Sequence, residues 1–536
     1  MIKRLCGLLA TMLATVAPAD AADAQHAPTL AWHFTGIEAL AKSNPEAILN
    51  EISASRPAFF LAIQVRNQLA TLLPGWLDLD AQALGNEVIS PLLADLLNHE
   101  SAAHFEGEKL PGGAWVLAVQ VNAADAGKWN GSLMNLGRRL LLGEPAPLTV
   151  SAVNGWQIPG NGKQRGYGFF VHRDWVVLAD GFASDSTAAR WVAALAKDGR
   201  PLPKIGNEWL HFQLTPAAIK WRPNLPFAGE VARIESAWSW QGKDVRTSGK
   251  ALLSADHTAG NGPWQIPKGI ARDPLISFTA VRGMKPFLGS LDAFKGLAAD
   301  LVPEQWFGWT RETAAFIDDF ALPVKDEVKV YEHLERSIPA AYNPRIMQVV
   351  LGEWKPATNM ARLLWRGLPV LVPYVGPRKD GNQGFIYGGI FPLVETTNTQ
   401  PAPDELFAQF EKRTNLAYYD WEITPARLTA YQQASPFIEL VLTKPANKDG
   451  THAQEWLQEA QPKLANAVTE AIAAGPRELS FTRKSQTGMT AIEMWLLARW
   501  LDSAEFPKFP YGPTQRPQPG ANRPGRPPAT PQPGQP

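Results

Sequence analysis

The chain contains a single cysteine, Cys6, which lies near the N-terminus of its 536 residues. Cys6 belongs to a segment that starts with Lys3 and Arg4 and continues as an almost wholly apolar run from Leu5 to Ala17. If this segment is removed on export, no cysteine remains that could form a disulfide. Stability must then come from the burial of apolar side chains, which requires sizeable cores.

The same segment has the anatomy of a secretory signal peptide. After the basic start and the apolar run, Pro18-Ala19-Asp20-Ala21-Ala22 places small residues at the two positions that a signal peptidase reads. The pattern predicts a signal peptide over 1–21 and a mature protein that begins close to Ala22, in the periplasm or outside the cell. Cys6 lies at the start of the apolar run, whereas a lipid-modified cysteine would follow it, so we do not expect lipid attachment.

Hydropathy and charge limit the class of protein. The apolar run has about 13 residues, fewer than the roughly 20 of a membrane-spanning helix, and no later segment reaches that length without charges. We therefore expect no membrane span once the signal is removed. Lys plus Arg equals Asp plus Glu, at 51 each. Because no overall positive field attracts a polyanion, we do not expect nucleic-acid binding.

The C-terminus is rich in proline, with Gly and Gln scattered between the prolines. Such a composition cannot bury enough apolar surface to offset the entropy of ordering, and it favours an extended, polyproline-like chain. We predict a disordered tail over 503–536. A tether, or a ligand for an aromatic groove, is the functional alternative to a simple solvated terminus.

Short β-type runs that lead into helix-compatible segments recur along the rest of the chain. Ala114–Val121 is followed by a plausible helix start at Asn122, and Gly166–Gly181 indicates two strands joined through His172-Arg173-Asp174. These patterns favour an α+β protein with mostly antiparallel sheets and packed helices.

A weak internal duplication is the second organising feature. Phe212–Ile219 and Trp421–Leu428 share an aromatic, polar, aliphatic, Thr-Pro-Ala pattern, typical of a strand that ends at a threonine N-cap with proline at the first helical position. Three further pairs recur in the same order: His33-Phe34-Thr35 with Ser277-Phe278-Thr279, Val116–Val121 with Met347–Leu351, and Arg233–Leu253 with Arg477–Leu497. We therefore consider two related tandem halves, an N-terminal α+β half over 22–254 and a C-terminal one over 275–502. The glycine- and proline-rich stretch 255–274 would be a linker or a long loop.

The most distinctive motif is His99-Glu100-Ser101-Ala102-Ala103-His104. It resembles the His-Glu-x-x-His zinc motif with one extra residue, a spacing known in dipeptidyl peptidase III-type enzymes. Residues before Asn98 have a helical pattern, whereas Ser101 begins a β-type run. The two histidines should then lie on different elements, so we predict no metal site and no cofactor.

Other motifs fail on their context. His172-Arg173-Asp174 has the letters of a kinase catalytic loop, but Ala179 stands where asparagine is needed. Thr247-Ser248-Gly249-Lys250 ends like a phosphate loop without its first glycine. No Gly-x-Ser-x-Gly elbow occurs, and no serine has lysine three positions later. The catalytic residues therefore remain unknown.

Paired carboxylates and the 20 tryptophans raise the question of a glycan enzyme. In Tyr418–Ile423, period-2 alternation places Tyr418, Asp420 and Glu422 on one face of a strand. A strand with one wet and one buried face explains the same pattern without a site. Asp318-Asp319 is weaker, because adjacent residues point in different directions. The tryptophan pairs are interpreted as core, with strand spacing for Trp238/Trp240 and helical spacing for Trp306/Trp309 and Trp495/Trp500.

These observations favour an exported, non-catalytic protein that binds or scaffolds another envelope component, either a protein or a glycan. The alternative is a hydrolase that acts on envelope glycan or peptide. An enzyme should show a concave site with converging polar groups, whereas a scaffold should show flat aromatic patches or exposed strand edges. The sequence indicates no oligomeric state.

Overall fold

The computed structural model describes residues 28–503 and 506, apart from 77–88, 108–112, 140–141, 161–165, 220–222, 261, 313–318, 347–351, 359, 368–371, 391–399 and 443–451. The predicted signal peptide over 1–21 and most of the predicted tail lie outside the described residues. In the part of the chain that is described, no helix is both long and apolar enough to cross a membrane.

An antiparallel sheet of 21 strands dominates the described structure. The strands before residue 254 are β1 (Leu30–Phe34), β2 (Ser101–Phe105), β3 (Trp115–Gln120), β4 (Ala146–Val150), β5 (Val153–Ile158), β6 (Tyr167–His172), β7 (Trp175–Ala179), β8 (Glu208–Leu214), β9 (Asn224–Leu225), β10 (Gly229–Gln241) and β11 (Asp244–Leu253). The later strands are β12 (Arg272–Asp273), β13 (Leu275–Arg282), β14 (Gln305–Arg311), β15 (Asp319–Val324), β16 (Glu353–Pro356), β17 (Leu363–Arg366), β18 (Tyr374–Asp380), β19 (Gln383–Gly389), β20 (Gln400–Pro401), β21 (Leu416–Ile423), β22 (Asn466–Gly475) and β23 (Glu478–Ser485).

Twelve helices accompany the sheet in the described residues. They are α1 (Ile37–Ser43), α2 (Ile48–Ser53), α3 (Arg56–Trp76), α4 (Ser90–Asn98), α5 (Ala123–Arg139), α6 (Thr187–Asp198), α7 (Lys285–Ser290), α8 (Glu327–Ile346), α9 (Asp404–Ala408), α10 (Thr424–Leu442), α11 (His452–Ala460) and α12 (Ala491–Leu501). Two short 3₁₀ turns span Pro216–Ile219 and Gln461–Lys463. The protein therefore combines helices with antiparallel sheet, and the sheet is the larger part.

The strands follow one another across the sheet in the order β4-β5-β6-β7-β3-β2-β1-β8-β10-β11-β23-β22-β21-β13-β14-β15-β19-β18-β17-β16. The two edge strands of this order are β4 and β16, and β11 pairs with β23 at the centre. This central pairing, which we call the seam, runs from Val245 opposite Ser485 to Leu252 opposite Glu478. β9 pairs with the first two residues of β10, and β12 pairs with β20 apart from the main sheet.

Each face of the sheet is covered by helices towards both ends. Face A, the side on which Thr247 and Arg483 lie, packs against α5 and α8. Their buried side chains are Trp129 and Leu133 from α5, and Val330 and Leu334 from α8. Face B, the side of Arg246 and Lys484, packs against α6 through Trp191 and Val192, and against Phe407 of α9 with the nearby Phe410. The sheet is thereby the middle layer between helices.

Helix signals in the sequence set several of these boundaries. The Ser186 side chain accepts a hydrogen bond from the backbone N–H of Ala189 at the start of α6, and Gly199 ends the helix with a left-handed backbone, φ 73°. At the start of α12, the Glu493 side chain reaches back and accepts a hydrogen bond from the backbone N–H of Thr490 at 2.7 Å. Local chemistry is thus sufficient to begin and end these helices.

Local patterns were predicted with mixed success. The strand at 114–121 with its following helix, and the hairpin over 166–181, are confirmed as β3 with α5 and as β6 with β7. The helical spacing of Trp306 and Trp309 was misleading, because both lie on β14, where Trp309 is buried on face B.

The structure also differs from the elements predicted for the duplicated segments. Residues 477–497 contain β23 and the start of α12 rather than a hairpin. The strand expected at Met347–Leu351 lies outside the described residues. The Thr-Pro prediction needs correction at one of its two places: Pro216 begins a 3₁₀ turn directly after Thr215, whereas Thr424 is the first residue of α10 and its hydroxyl donates to Glu422. The carboxylate two residues earlier competes for that hydroxyl.

Candidate functional site

The two histidines of the zinc-like motif lie on different elements, as predicted. His99 ends α4 with an extended backbone, and His104 lies on β2. Glu100 between them is ion-paired: His33 Nε2 is 2.8 Å from its Oε1, and Arg200 contacts the same atom. Burial raises the pKa of Glu100, but the hydrogen bond from His33 and the charge of Arg200 outweigh it, and the net pKa is lowered. Glu100 is therefore a paired carboxylate and is poorly suited to act as a base.

The other short motifs occupy ordinary strand and turn positions. His172-Arg173-Asp174 is the turn between β6 and β7, where Arg173 has φ 55°. Thr247-Ser248-Gly249-Lys250 lies within β11, and Lys250 Nζ is 2.9 Å from Glu478 Oε1 across the seam. Because these backbone N–H groups belong to a strand ladder, they form no phosphate cradle.

Asp420 and Glu422 lie on the same face of β21, as the alternation predicted. That face is not wet, however, because α10 and α12 cover it. Glu422 is 3% exposed, and Tyr419 on the opposite face is equally buried. The expectation of one wet and one buried face was therefore wrong for this strand. Neither helix could be placed over β21 from the local alternation.

Hydrogen bonds satisfy both acids. Glu422 Oε1 accepts from the backbone N–H of Ala491 at 2.6 Å and from Thr424 Oγ1 at 3.0 Å. Asp420 Oδ1 accepts from Thr279 Oγ1 at 2.6 Å. Burial, with the nearby charge of Asp420, raises the pKa of Glu422 to about 7. Burial also raises the pKa of Asp420.

A buried ion pair lies beside these acids. Arg483 and Glu493 form two parallel contacts, Nη1 to Oε2 at 2.7 Å and Nη2 to Oε1 at 3.0 Å. Arg483 also donates to Thr469 Oγ1 at 2.8 Å and to the Gly488 carbonyl at 3.0 Å. The pair connects β23 to the first turn of α12, which identifies it as part of the framework.

Asp319 forms a third buried acidic group. Its Oδ1 accepts from the hydroxyls of Tyr374 at 2.7 Å and Tyr387 at 2.9 Å, and Arg311 Nε lies 3.2 Å from its Oδ2. Asp318 lies outside the described residues. With three donors and almost no exposure, Asp319 is a structural acid of the C-terminal part of the sheet.

Face B of the seam offers a different kind of site. Val245, Thr247, Gly249 and Ala251 are buried on face A, while the alternate residues of β11 and β23 face outwards. We call these outward residues the seam surface: Arg246, Ser248, Lys250, Ser480, Thr482 and Lys484. They are polar, half-buried or exposed, and lie on the central two strands of the sheet. Sequence reasoning missed this surface because its two strands are far apart in the chain.

Two cations stand side by side at the seam surface. Arg246 and Lys484 are directly opposite each other, and both are exposed. Lys484 Nζ is 3.1 Å from Asp244 Oδ2, whereas Arg246 has no ion pair among the described residues. Like charges at opposite strand positions are unfavourable. The seam surface can therefore still bind acidic or hydrogen-bonding groups of another molecule.

Comparison of the chain with known protein families, curated proteins and solved structures gave no match. One surface pocket within the described residues is lined by Asp292, Ser337, Ala340, Ala341 and Pro344. None of the buried acids lines this pocket. The shifted carboxyls and the concave surface are thus separate features of the molecule.

Proposed function

We propose that this chain is an exported, non-catalytic protein that binds or scaffolds another component of the cell envelope, and that the partner contacts the seam surface. The observation that carries the proposal is the guanidinium of Arg246, which forms no ion pair with another described residue and lies beside Lys484 on an outward polar face at the centre of the sheet. Ser248 and Thr482 add hydroxyl donors and acceptors between the charges.

The state of the acids supports a binding function over catalysis. A general acid or base must reach the substrate. Glu422 is 3% exposed, and its oxygens face Ala491, Thr424 and Arg427 from within the protein. A second envelope protein with acidic side chains fits the seam surface best, since it would supply the counter-charge that Arg246 does not find among the described residues, whereas Lys484 already has Asp244.

Site-directed photo-crosslinking in cells tests this proposal. A photoreactive residue at Ser248 or Thr482 should form an adduct with one defined envelope protein, and Arg246→Glu combined with Lys484→Glu should abolish it. The same residue placed at Val171, which is exposed on β6 away from the seam, is the control. Adducts that survive the charge reversal, or that form equally from Val171, would contradict the proposal. An adduct with glycan would change the class of partner.

The hydrolase alternative has one favourable observation, the pKa of about 7 for Glu422, which suits a general acid near neutral pH. Hydrolysis of envelope glycan or peptide fragments by the mature protein, lost in Glu422→Gln without loss of folding, would support it. The matched control is Glu411→Gln, which removes a partly exposed acid paired with Lys268.

We further propose that the sheet arose from two related tandem halves. The seam has ten strands of the main sheet on each side. If the strands on each side are numbered in chain order, both sides have the same spatial order counted from the seam, and β1, β8 and β11 correspond to β13, β21 and β23. The helices agree as well: α5 and α8 follow the third strand and cover face A, while α6 and α9 follow the seventh strand and cover face B. Shared order and shared faces together support a pseudo-twofold axis at the seam.

The sequence echo that suggested the halves is offset from this symmetry. The strand pairs lead from Phe212 to Gly249 on β11, and from Trp421 to Arg246 on the same strand. Gly249 and Arg246 are three positions apart and so point to opposite faces. A twofold axis perpendicular to the sheet would leave each residue on its own face, so Phe212 and Trp421 cannot be exact equivalents. The two Thr-Pro-Ala segments therefore lie at the ends of the corresponding strands β8 and β21, but their residues are offset by an odd number of positions.

A further inference from the structure

The residue that the zinc-like motif singled out, His99, lies beside two carboxylates that do not belong to that motif. Asp95 precedes His99 by four residues on α4, and Asp125 comes from the first turn of α5. One donor atom from each of the three side chains lies within 4.8 Å of the other two. All three residues are half-buried.

Neighbouring groups already orient two of these side chains. Trp129 Nε1 donates to Asp95 Oδ2 at 2.9 Å. Asn122 Nδ2 donates to Asp125 Oδ2 at 2.6 Å, while Lys128 Nζ lies 2.5 Å from Asp125 Oδ1. Outer hydrogen bonds of this kind hold a ligating carboxylate in place. The Lys128 side chain is 68% exposed, so a metal cation could displace its ammonium from Asp125.

The imidazole is the least committed of the three groups. Within the described residues, the His99 ring makes no hydrogen bond, whereas His33, His211 and His452 each contact a carboxylate. Its extended backbone at the end of α4, φ −110° and ψ 168°, carries the chain away from the helix. A ring nitrogen close to two carboxylates and free of other partners is available to a metal ion.

We propose that Asp95, His99 and Asp125 bind a zinc ion that clips α4 to α5. Zinc accepts His nitrogen together with Asp oxygen, whereas Mg²⁺ and Ca²⁺ prefer oxygen alone. Ligands 2.0–2.1 Å from a tetrahedral zinc are about 3.3 Å apart. Because the three donor atoms lie within 4.8 Å of one another, side-chain rotations that shorten their separations by at most about 1.5 Å complete the site. Water fills the fourth position. The sequence-based expectation of no metal site considered only contiguous motifs and could not include Asp125.

Calorimetric titration of the metal-stripped mature protein with ZnCl₂ tests the site. We expect one zinc per chain, with binding weakened at least tenfold in His99→Ala and in Asp125→Asn. His452→Ala is the matched control, because it removes another histidine that lies beside a carboxylate. Lys128→Ala should bind zinc more tightly than the unmodified chain, since it removes the competing ammonium. A purely structural role of Lys128 would not produce that gain.

Cobalt substitution gives a second readout that does not depend on stability. Co²⁺ bound by this set should show visible d–d absorption that His99→Ala loses. Because the His99 ring makes no hydrogen bond to another described residue, that variant should fold even if an aspartate variant does not. Absence of zinc binding at micromolar concentrations, or full binding by His99→Ala, would overturn the proposal. The seam-surface function does not depend on either result.

Discussion

At the scale of single residues, the Arg483–Glu493 pair shows how a charge is kept inside this protein. Both side chains are at most 1% exposed, and their two contacts align like a fork. Thr469 Oγ1 and the Gly488 carbonyl accept two further hydrogen bonds from Arg483, and the backbone N–H of Thr490 donates to Glu493 Oε2. The pair is stable because neither partner is left with an unmatched charge.

Removing one partner of that pair should be costly. Glu493→Gln leaves the Arg483 guanidinium buried without a counter-charge, and we expect a loss of about 3–5 kcal/mol in the free energy of unfolding, measured by urea denaturation. The double variant Arg483→Met with Glu493→Leu should lose less than Glu493→Gln, because it leaves no buried charge. An equal or greater loss in the double variant would argue against this explanation.

The raised pKa of Glu422 should make stability depend on pH. The folded protein keeps a proton on Glu422 up to about pH 7, whereas the unfolded chain releases it near 4.5. The free energy of unfolding should therefore fall as pH rises through this interval, by on the order of 1–3 kcal/mol. Below pH 4.5 the contribution is fully present. Denaturation at several pH values should show a flatter curve for Glu422→Gln than for the unmodified chain.

At the scale of elements, the connection from β23 to α12 depends on Gly488. Its backbone has φ +77°, and a Cβ there would lie 2.6 Å from Trp238 Nε1. Thr247 donates to its carbonyl from β11, and Arg483 donates to it from β23. One glycine therefore brings both seam strands and the Trp238 ring together.

Gly488→Ala should destabilise the protein by more than Gly242→Ala. Both glycines have a positive φ, but nothing lies within 4 Å of a Cβ at Gly242. The backbone cost, roughly 1 kcal/mol, is common to both substitutions, and the difference between them measures the contact with Trp238. Thermal unfolding monitored by near-UV circular dichroism should show an altered tryptophan signal for the Gly488 variant alone. Equal losses would mean that the contact is relieved at no cost.

At the scale of the whole molecule, several regions of the described structure join the early and late parts of the chain, among them a shared core in which Phe227 stacks on Tyr418. The seam pairs eight residues of β11 with eight of β23. Helices α2 and α3, inserted after β1, pack with α10, α11 and α12 through a core that includes Ile52, Leu428 and Trp495. The loop over 255–274 also contributes buried side chains, Trp264 and Ile270. These contacts would all have to break before the early and late parts of the chain could separate.

A chain cut in that loop should consequently stay assembled. A protease site inserted after Gly262, where a Cβ would meet nothing within 4 Å, can be cleaved in the folded protein. We expect the two fragments to co-elute in gel filtration and to separate only in denaturant. Adding Ser248→Pro, which places a proline inside a central strand, should weaken the association. Fragments that separate without denaturant would show that the seam and the shared helix core do not hold the parts together.

The sequence by itself determined the class of structure and several of its elements. The strand with its following helix at 115–139, the hairpin through Arg173 and the shared face of Asp420 and Glu422 all follow from short-range periodicity and turn chemistry. The sequence also predicted that His99 and His104 lie on different elements, because a helical pattern stops near Asn98 and a β-type run begins at Ser101.

Only the tertiary structure decided which of these faces are covered and which residues meet. Alternation along β21 is the same whether helices or water cover it, so the burial of Glu422 and its raised pKa could not be predicted. The seam pairs Arg246 with Lys484, and Asp125 reaches His99 from another helix. Both meetings depend on long-range packing, which local sequence patterns do not encode because any strand or helix with the same periodicity could have been the neighbour.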